Sequence, residues 1–368
     1  MAKYCLHIIL FILLLFSSCG HKATYRIEGE LSNLEDLTIF AVFENENVKH
    51  VDTLVCDEKG RFLLEEELQG FNTVTFFMDG KMKYFVVYLE PEGNSIKVKG
   101  NALYPGLMEV KGNRINEELT ALRKDLTPLL SEYQTLRNKI TGKNKKNGIE
   151  EADFISRQAN IRLQIMEKVF AYIKENPKEK ASAILIQRHF LDPDDSKKLD
   201  ELLAGLDSSL SDFYVVRALR QYSEKIKRTE LGAQAPDFTA KNIYGENVKL
   251  SNYSGRYLLL AFTAPWCDMC HTEDLFLDKV KQNYSKDKLD ILMVSLDDDS
   301  QEVRNAVESD SIQWNIVTDS ASQTMMLMDL YNVSTLPRCF LIDKEGKIIL
   351  KTDNGIEIRK TLDNLSLK

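Results

Sequence analysis

Residues 257–273 read YLLLAFTAPWCDMCHTE, and this stretch decides how the C-terminal third of the chain folds. Its apolar start has the pattern of a buried strand, and two cysteines, Cys267 and Cys270, follow soon after it. Two chemistries use such a pattern, because Cys-x-x-Cys-His attaches a c-type haem and Trp-Cys-x-x-Cys after a strand forms a redox-active dithiol. His271 follows the second cysteine, so the motif alone leaves both chemistries open.

The first residues predict export of the protein. Lys3 supplies a positive charge, an apolar run follows at residues 6–16, and Ser-Ser-Cys-Gly ends the segment. These are the parts of a secretory signal peptide, and the run is shorter than the ~20 residues that span a bilayer. Phe-Ser-Ser-Cys resembles a bacterial lipobox, which implies a signal peptide over residues 1–19 and a lipid on Cys19. Plain secretion and an uncleaved anchor are the alternatives.

Export changes what the cysteines are expected to do. The chain has six, of which Cys5 would leave with the signal peptide and Cys19 would carry lipid, so that four remain. An oxidising compartment permits structural disulfides, but four cysteines in a chain of this length do not form a disulfide scaffold. Only Cys267 and Cys270 lie close in sequence, so this pair is predicted to take part in chemistry rather than to form a structural disulfide.

Composition and charge limit the class of protein. The chain is 43% hydrophobic and 28% charged, as expected of a folded protein. Its 368 residues predict two or three domains of roughly 150 residues each. The net charge of −8 argues against a nucleic-acid partner, since such partners need a basic surface.

Residues 24–112 predict a β-rich domain, because apolar and polar residues alternate over short segments that turn-forming residues separate. The predicted strands span residues 24–31, 37–43, 48–55, 61–68, 73–80, 83–89 and 94–100. Regular spacing of this kind indicates a β-sandwich or a small barrel. His50 and Cys56 stand alone here and are predicted to be core or edge residues.

Residues 113–229 have helical periodicity and predict a helical linker domain, a spacer or a docking surface. The predicted helices span residues 114–140, 151–174, 180–190, 195–204 and 208–226. Pro128 is expected to kink or break the first of them. His189 lies on an apolar helix face, which predicts a core position or a contact with a partner.

Residues 231–368 alternate between strands and helices, which is typical of βαβ units. The predicted strands span residues 247–250, 257–262, 289–296, 314–317, 338–343 and 347–352. The predicted helices span residues 267–284, 301–309 and 322–331, and a last one begins near residue 355.

This last block resembles the thioredoxin-fold modules of TlpA-like thiol-disulfide oxidoreductases, which are grouped with the AhpC/TSA family. The resemblance rests on GAQAPDF at 232–238, NYSG at 252–255 before the strand and cysteine pair, VSTLP at 333–337 and DKEG at 343–346. A β domain of unknown function and a helical linker often precede such modules. The chain is therefore predicted to be multidomain α+β, with a β-sandwich-like domain, a helical middle segment and a thioredoxin-like α/β domain.

The chemistry of the cysteine pair supports the same prediction. The nucleophile is a thiolate, and a helix that begins at Cys267 would stabilise it through unpaired N–H groups. Cys270, three positions on, would then lie within disulfide reach. Cys267 would attack a substrate disulfide, and Cys270 would resolve the mixed disulfide to leave a Cys267–Cys270 bond. Trp266 would offer apolar surface to a protein substrate, or else be a core aromatic. Asp268 would disfavour the thiolate, which favours a reductant over a strong oxidant.

The resemblance implies further site residues. In the family a cis proline lies against the dithiol and the backbone before it pairs with the substrate, which gives these roles to Pro337 and Leu336. The alternative is a trans proline in an ordinary turn. Some relatives use a glutamate at the position of Glu273 for proton movement, although an exposed acid in the first helical turn is equally expected. The usual buried aspartate is absent, because Ala261 stands in its place.

Four other interpretations stay open. A haem protein would use His271 with one of Met325, Met326 and Met328, but cytochromes c are helical around the haem and here a strand leads into the motif. Zinc lacks a second ligand pair, so no metal is predicted. A thiol peroxidase would carry Thr or Ser where Ala264 stands. Alternatively, the front domains bind a partner or glycan and the redox module is accessory.

Cys339 follows the proline loop on a predicted buried strand and is expected to be a core cysteine, with pairing to the dithiol as the alternative. The sequence thus predicts an exported thiol-disulfide oxidoreductase without a cofactor, with reduction as the favoured direction. Its expected partners are disulfide-containing envelope proteins, a membrane thiol electron donor and the membrane itself through the lipid, but not nucleic acid. The expected location is the periplasm-facing cell envelope.

Overall fold

The computed structural model describes residues 23–45, 49–80, 83–92, 95–141, 148–264, 266, 267, 270, 284, 288–296, 315–318 and 321–365. The chain forms two compact units. The first comprises the residues up to His189 together with Gly205–Val216, and the second comprises Phe190–Ala204 together with Arg217–Lys368. The domain boundaries that the sequence predicts stay predictions. The predicted signal peptide and Cys19 lie outside the described residues.

The first unit contains a β-sandwich, as the alternating pattern predicts. Its strands are β1 (Ala23–Ser32), β2 (Thr38–Glu44), β3 (Lys49–Val55), β4 (Arg61–Leu68), β5 (Asn72–Met78), β6 (Lys83–Leu89), β7 (Ser95–Asn101) and β8 (Glu109–Lys111). They form two four-stranded sheets of order β4-β1-β7-β8 and β3-β2-β5-β6. One core joins both sheets, with Ile27 and Ile96 from the first packed with Phe43 and Phe76 from the second. β8 was not predicted from the sequence.

Gly60 closes the turn between β3 and β4. Its φ is +72°, in the left-handed region, and a Cβ placed there would lie 1.9 Å from the carbonyl oxygen of Leu31. The same turn brings the Gly60 carbonyl within 2.9 Å of the Leu31 amide, which donates to it. Both the conformation and the close approach of β1 therefore require glycine.

Helices follow the sandwich. They are α1 (Arg114–Asp125), α2 (Thr127–Thr141), α3 (Gly148–Glu175), α4 (Lys180–His189), α5 (Lys197–Gly205) and α6 (Tyr214–Lys227). Among the described residues, no helix combines the length and apolarity that crossing a membrane requires.

Two predicted helices differ from the observed ones. The helix predicted over 114–140 is divided into two at Leu126. Pro128 lies in the first turn of α2, where backbone N–H groups have no partner within the helix, so the N–H that proline lacks costs no hydrogen bond. The helix predicted over 208–226 is also wrong at its start. Residues Ser208–Leu210 form a separate 3₁₀ turn, in which the Asp207 carboxylate accepts from the Ser209 amide, and α6 begins only at Tyr214.

The second unit has the predicted thioredoxin-like α/β fold. Its elements are β9 (Thr239–Lys241), β10 (Asn247–Lys249), β11 (Tyr257–Thr263), β12 (Leu289–Ser295), β13 (Asn315–Val317), α7 (Ala321–Leu330), β14 (Arg338–Ile342), β15 (Ile348–Thr352) and α8 (Gly355–Asn364). β11, β12 and β13 run parallel, and β14 and β15 join antiparallel, in the order β13-β12-β11-β14-β15. The helix predicted over 301–309 and most of that predicted over 267–284 lie outside the described residues.

Replacing Gly60 tests the constraint on the first unit. We expect Gly60→Ala to lower the free energy of unfolding by about 3 kcal/mol, because backbone strain adds to the clash with Leu31. Gly80 is the matched control, since its φ is +66° but no described atom lies within 4 Å of its would-be Cβ. Gly80→Ala should cost only about 1 kcal/mol. Urea unfolding measures both, and equal losses would contradict the role of the close approach.

Candidate functional site

The two cysteines of the motif lie together at the end of β11. Cys267 and Cys270 are joined in a disulfide, with their Cα atoms 5.2 Å apart. The Cys267 amide donates to the carbonyl oxygen of Ala264 at 3.1 Å, and the Cys270 amide donates to the carbonyl oxygen of Cys267 at 2.9 Å. These two bonds form the tight turn that carries the chain from the strand into the cysteine pair.

The two sulfurs have different surroundings. The side chain of Cys270 is 0% exposed, whereas Cys267 is 8% exposed. The backbone amide of Cys270 also lies 3.2 Å from the sulfur of Cys267 and donates to it. An N–H group directed at a sulfur favours the thiolate once the disulfide is reduced. Cys267 is thus both the more accessible sulfur and the one that receives a hydrogen bond.

The proline loop packs against the dithiol. Ala264, Cys267 and Cys270 form a small buried cluster, against which Leu296 and Leu336 pack. The peptide bond between Leu336 and Pro337 is cis, as the resemblance implies, and the ring of Pro337 is buried. Two segments about seventy positions apart in sequence therefore meet at the cysteine pair.

Trp266 lies on the outside of the same turn. Its side chain is 71% exposed, so the alternative of a core aromatic is wrong. A large apolar ring on the surface beside a reactive sulfur is the kind of group that contacts a protein partner. Whether it does so here stays a prediction.

The sheet beneath the dithiol is apolar. Ala261, at the position of the family's aspartate, is fully buried and lies opposite Met293 and Cys339 in the sheet register. All three belong to one core cluster. Cys339 is therefore a core residue, as predicted. Glu273, the residue proposed to move protons, lies outside the described residues, as do Asp268 and His271.

A charged cluster beside the proline loop was missed by the sequence analysis. Arg338, the residue after Pro337, forms an ion pair with Asp194, and the ammonium of Lys351 lies 3.0 Å from the same carboxylate. Lys351 also donates to the carbonyl oxygen of Pro193 at 2.8 Å, and its side chain is only 3% exposed. No sequence pattern relates these positions, because the fold alone brings them together.

The cluster shifts the ionisation of its members. Burial acts to raise the pKa of Asp194, but hydrogen bonds from Arg338 and Lys351 outweigh burial and hold that pKa below its ordinary value. Burial lowers the pKa of Lys351, and Asp194 opposes this shift. The carboxylate therefore keeps a buried ammonium charged one strand away from the proline loop.

Together, the parallel strand that leads to a cysteine pair, the cis Leu336–Pro337 bond whose leucine packs against that pair and the mixed sheet define a dithiol protein of the thioredoxin fold. Residues 231–351 match the model of the AhpC/TSA family, and residues 25–119 match a domain of unknown function, DUF4369.

The similar proteins agree with this class. The thiol-disulfide oxidoreductase ResA of Geobacillus kaustophilus is 32% identical over 138 residues, which cover 37% of this chain and 78% of that protein. ResA of Bacillus cereus is 27% identical over 128 residues, which cover 35% of this chain and 72% of that protein. The chain therefore belongs to the thioredoxin-fold, TlpA-like thiol-disulfide oxidoreductases, and it is an oxidoreductase.

Solved structures are similar in the same region. One is the thioredoxin domain of a thiol-disulfide oxidoreductase from Bacteroides vulgatus, which is 27% identical in sequence. The matched region covers 38% of the present chain and 98% of the Bacteroides domain, with a TM-score of 0.35. That score is too low to support the fold by itself, so the fold rests on the strand order described above.

Replacing Asp194 tests the charged cluster. We expect Asp194→Asn to lower the free energy of unfolding at pH 7 by about 2 kcal/mol, less than for a fully buried pair because Asp194 is 47% exposed. A carboxylate with a lowered pKa stabilises the fold above its unfolded pKa and ceases to do so as pH falls through its folded pKa. The difference between the two proteins should therefore shrink below about pH 4. Urea unfolding at pH 7 and pH 3 measures it.

The exposed Asp353, just after β15, provides the matched control. Asp353→Asn should change the stability by less than about 0.5 kcal/mol at either pH. A loss for Asp194→Asn that is equal at both pH values would contradict the electrostatic account.

Proposed function

We propose that this oxidoreductase is an exported, lipid-anchored reductant that reduces disulfides of cell-envelope proteins with the pair Cys267 and Cys270. The unequal exposure of the two cysteines carries the proposal. Cys267 keeps 8% of its surface exposed, whereas Cys270 is 0% exposed and is joined to it by the disulfide. This is the arrangement that a nucleophile and a resolving thiol need.

The exchange would run in two steps. The Cys267 thiolate attacks one sulfur of the substrate disulfide, and the other sulfur leaves as a thiolate that takes up a proton. Cys270 then loses its proton and attacks the sulfur of Cys267, which releases the second substrate thiol. The substrate gains two electrons and two protons, and the Cys267–Cys270 disulfide forms. A membrane thiol donor would return the enzyme to its reduced form.

Substrate would lie along the proline loop. Leu336 packs against the cysteine pair and lies two residues before the start of β14, so its backbone is outside the sheet ladder. An extended substrate segment pairing with this backbone would bring its disulfide toward Cys267. The exposed ring of Trp266 would cover apolar side chains of the same substrate.

The direction of exchange is proposed from charge. Asp268 between the cysteines would oppose the lowering of the Cys267 pKa by the Cys270 amide, through like-charge repulsion with the thiolate, which makes the pair less oxidising than it would be without Asp268. Ala261 places no carboxylate beneath the pair, so Glu273 is the proposed group for proton transfer to and from the dithiol. Peroxide reduction is disfavoured, because the buried Ala264 offers no hydroxyl to a peroxide.

Export and anchoring rest on residues 1–19 and on Cys19. The anchor would hold the enzyme at a membrane surface facing the periplasm, where disulfide-containing proteins fold. Release of Cys19→Ala from the membrane fraction would support the anchor, and its retention there would contradict it.

Insulin reduction tests the nucleophile. With dithiothreitol as the electron source, the chain lacking residues 1–19 should accelerate insulin precipitation, and Cys267→Ser should lower that rate at least about 100-fold, since no thiolate remains to attack. Cys56→Ala is the matched control. Burial, with Asp57 adding to it, raises the pKa of the Cys56 thiol to about 11, so this thiol should contribute nothing. A rate for Cys267→Ser equal to that of the wild type would contradict the assignment.

Trapping tests the function in cells. Cys270→Ser should hold substrates on Cys267 as mixed disulfides, because the resolving thiol is gone. Non-reducing electrophoresis and mass spectrometry would then identify envelope proteins. The double variant Cys267→Ser/Cys270→Ser is the control and should trap none. Absence of adducts would contradict disulfide exchange with proteins, and adducts made only with cytoplasmic proteins would contradict export.

A further inference from the structure

The first compact unit contains a partly open cavity of about 410 Å³ that is remote in sequence from the cysteine pair. Its walls come from β6, from the turn Pro105–Leu107 and from the helices α1 to α4, all within that unit. Cavities of 300 to 1,000 Å³ are of the size that holds small ligands. The volume is therefore sufficient for a small organic molecule.

Most of the cavity wall is apolar. Strand and helix side chains form it, among them Phe85, Leu119, Leu126, Ile165, Val169 and Leu185. Such a wall gives a ligand its affinity through the burial of apolar surface, but it does not orient the ligand. Orientation needs a few polar groups at defined places.

The charged groups of the cavity are all basic. Lys83, Arg123, Arg137 and Arg188 line it together with neutral tyrosine, glutamine and histidine side chains, and among the described residues no aspartate or glutamate lines it. Lys83 is compensated elsewhere, because its ammonium lies 2.8 Å from the Asp79 carboxylate. Arg188 hydrogen bonds to the hydroxyl of Tyr88, a neutral group. Arg123 and Arg188 thus carry positive charge that no carboxylate in the described part of the cavity wall offsets.

Arg123 is the least satisfied of these groups. Its guanidinium donates to the Thr120 hydroxyl at 2.8 Å, but its Nε has no hydrogen-bond partner within the part of the chain that the structure describes. Burial lowers the pKa of Arg123 to about 10, and the neighbouring Arg188 adds to the shift. A buried donor without a partner costs free energy, and the like charge of the neighbouring, solvent-exposed Arg188 adds to that cost. An anion bound there would supply the missing acceptor and the opposite charge.

We propose that this cavity binds a small, mainly apolar molecule with one carboxylate or phosphate group, whose anion lies on Arg123 and Arg188. Guanidinium groups bind both anions through paired N–H donors, so the two arginines recognise the shared chemistry. The apolar walls then hold the body of the ligand. This binding site lies in the first compact unit, and both arginines lie on helices, after the residues that match the domain of unknown function.

Calorimetric titration of the full chain tests the proposal. The probes are decanoate and decyl phosphate, which share an apolar chain and differ in the anion, and decanol, which lacks the charge. We expect at least one anionic probe to bind, and decanol to bind at least about tenfold more weakly. The relative affinities of decanoate and decyl phosphate identify the preferred anion. No binding of either anion, or equal binding of decanol, would overturn the proposal.

The variant Arg123→Met tests whether Arg123 binds the anionic group of the probe. It should weaken binding of the preferred anion at least about tenfold, because it removes a charge-assisted hydrogen bond. Arg157→Met is the matched control, since Arg157 is exposed on α3 and forms an ion pair with Glu132 on α2. The affinity of this variant for the preferred anion should equal that of the wild type. Unchanged affinity in Arg123→Met would overturn the assignment.

Thermal unfolding distinguishes a ligand-binding role of Arg123 from a structural one. Without ligand, Arg123→Met should unfold at a higher temperature than the wild type, because it removes a buried charge that lacks an opposite partner. A structural arginine would instead leave the variant less stable or unfolded, and that result would contradict the proposal. Insulin reduction by the variant should equal that of the wild type, since the cavity does not contribute to the dithiol.

Discussion

Burial of β11 on both faces is the constraint on which the redox site depends. Leu258, Leu260 and Phe262 belong to one core cluster, and Leu259 and Ala261 belong to the other. Each of these leucines and Phe262 contributes roughly 1.5–3 kcal/mol on burial, so β11 is held in the centre of the sheet between the two core clusters. Because the cysteine pair begins only a few residues after this strand ends, the same burial fixes where the sulfurs lie.

The second half of the site comes from a different part of the sheet. β14 pairs antiparallel with β11, and the cis proline immediately precedes it. Pairing therefore delivers Leu336 to the cysteines, and the ion pairs of Asp194 with Arg338 and Lys351 hold the first residue of β14 from the other side. The nucleophile and the proposed substrate loop are thus positioned by one sheet.

Features with a local pattern could be predicted from the sequence. The sandwich strands, β11 and the cis proline follow from alternation, from a continuous apolar run and from a family motif. Strands β8 and β9 were missed, although the equally short β10 and β13 were predicted, and Pro128 alone did not decide between a kink and a break. The ion pairs of Asp194 and the basic cavity could not be predicted, since each joins positions that only the tertiary fold brings together.

The central claim is that Cys267 is the accessible, easily ionised sulfur of the reduced protein and that Cys270 is enclosed. Limited alkylation of the reduced chain with iodoacetamide, read by peptide mass spectrometry across a pH series, tests it most directly. The account predicts that Cys267 is modified far faster than Cys270, with a midpoint below the ordinary thiol pKa of about 8.5. Equal labelling of both cysteines, or faster labelling of Cys270, would contradict it.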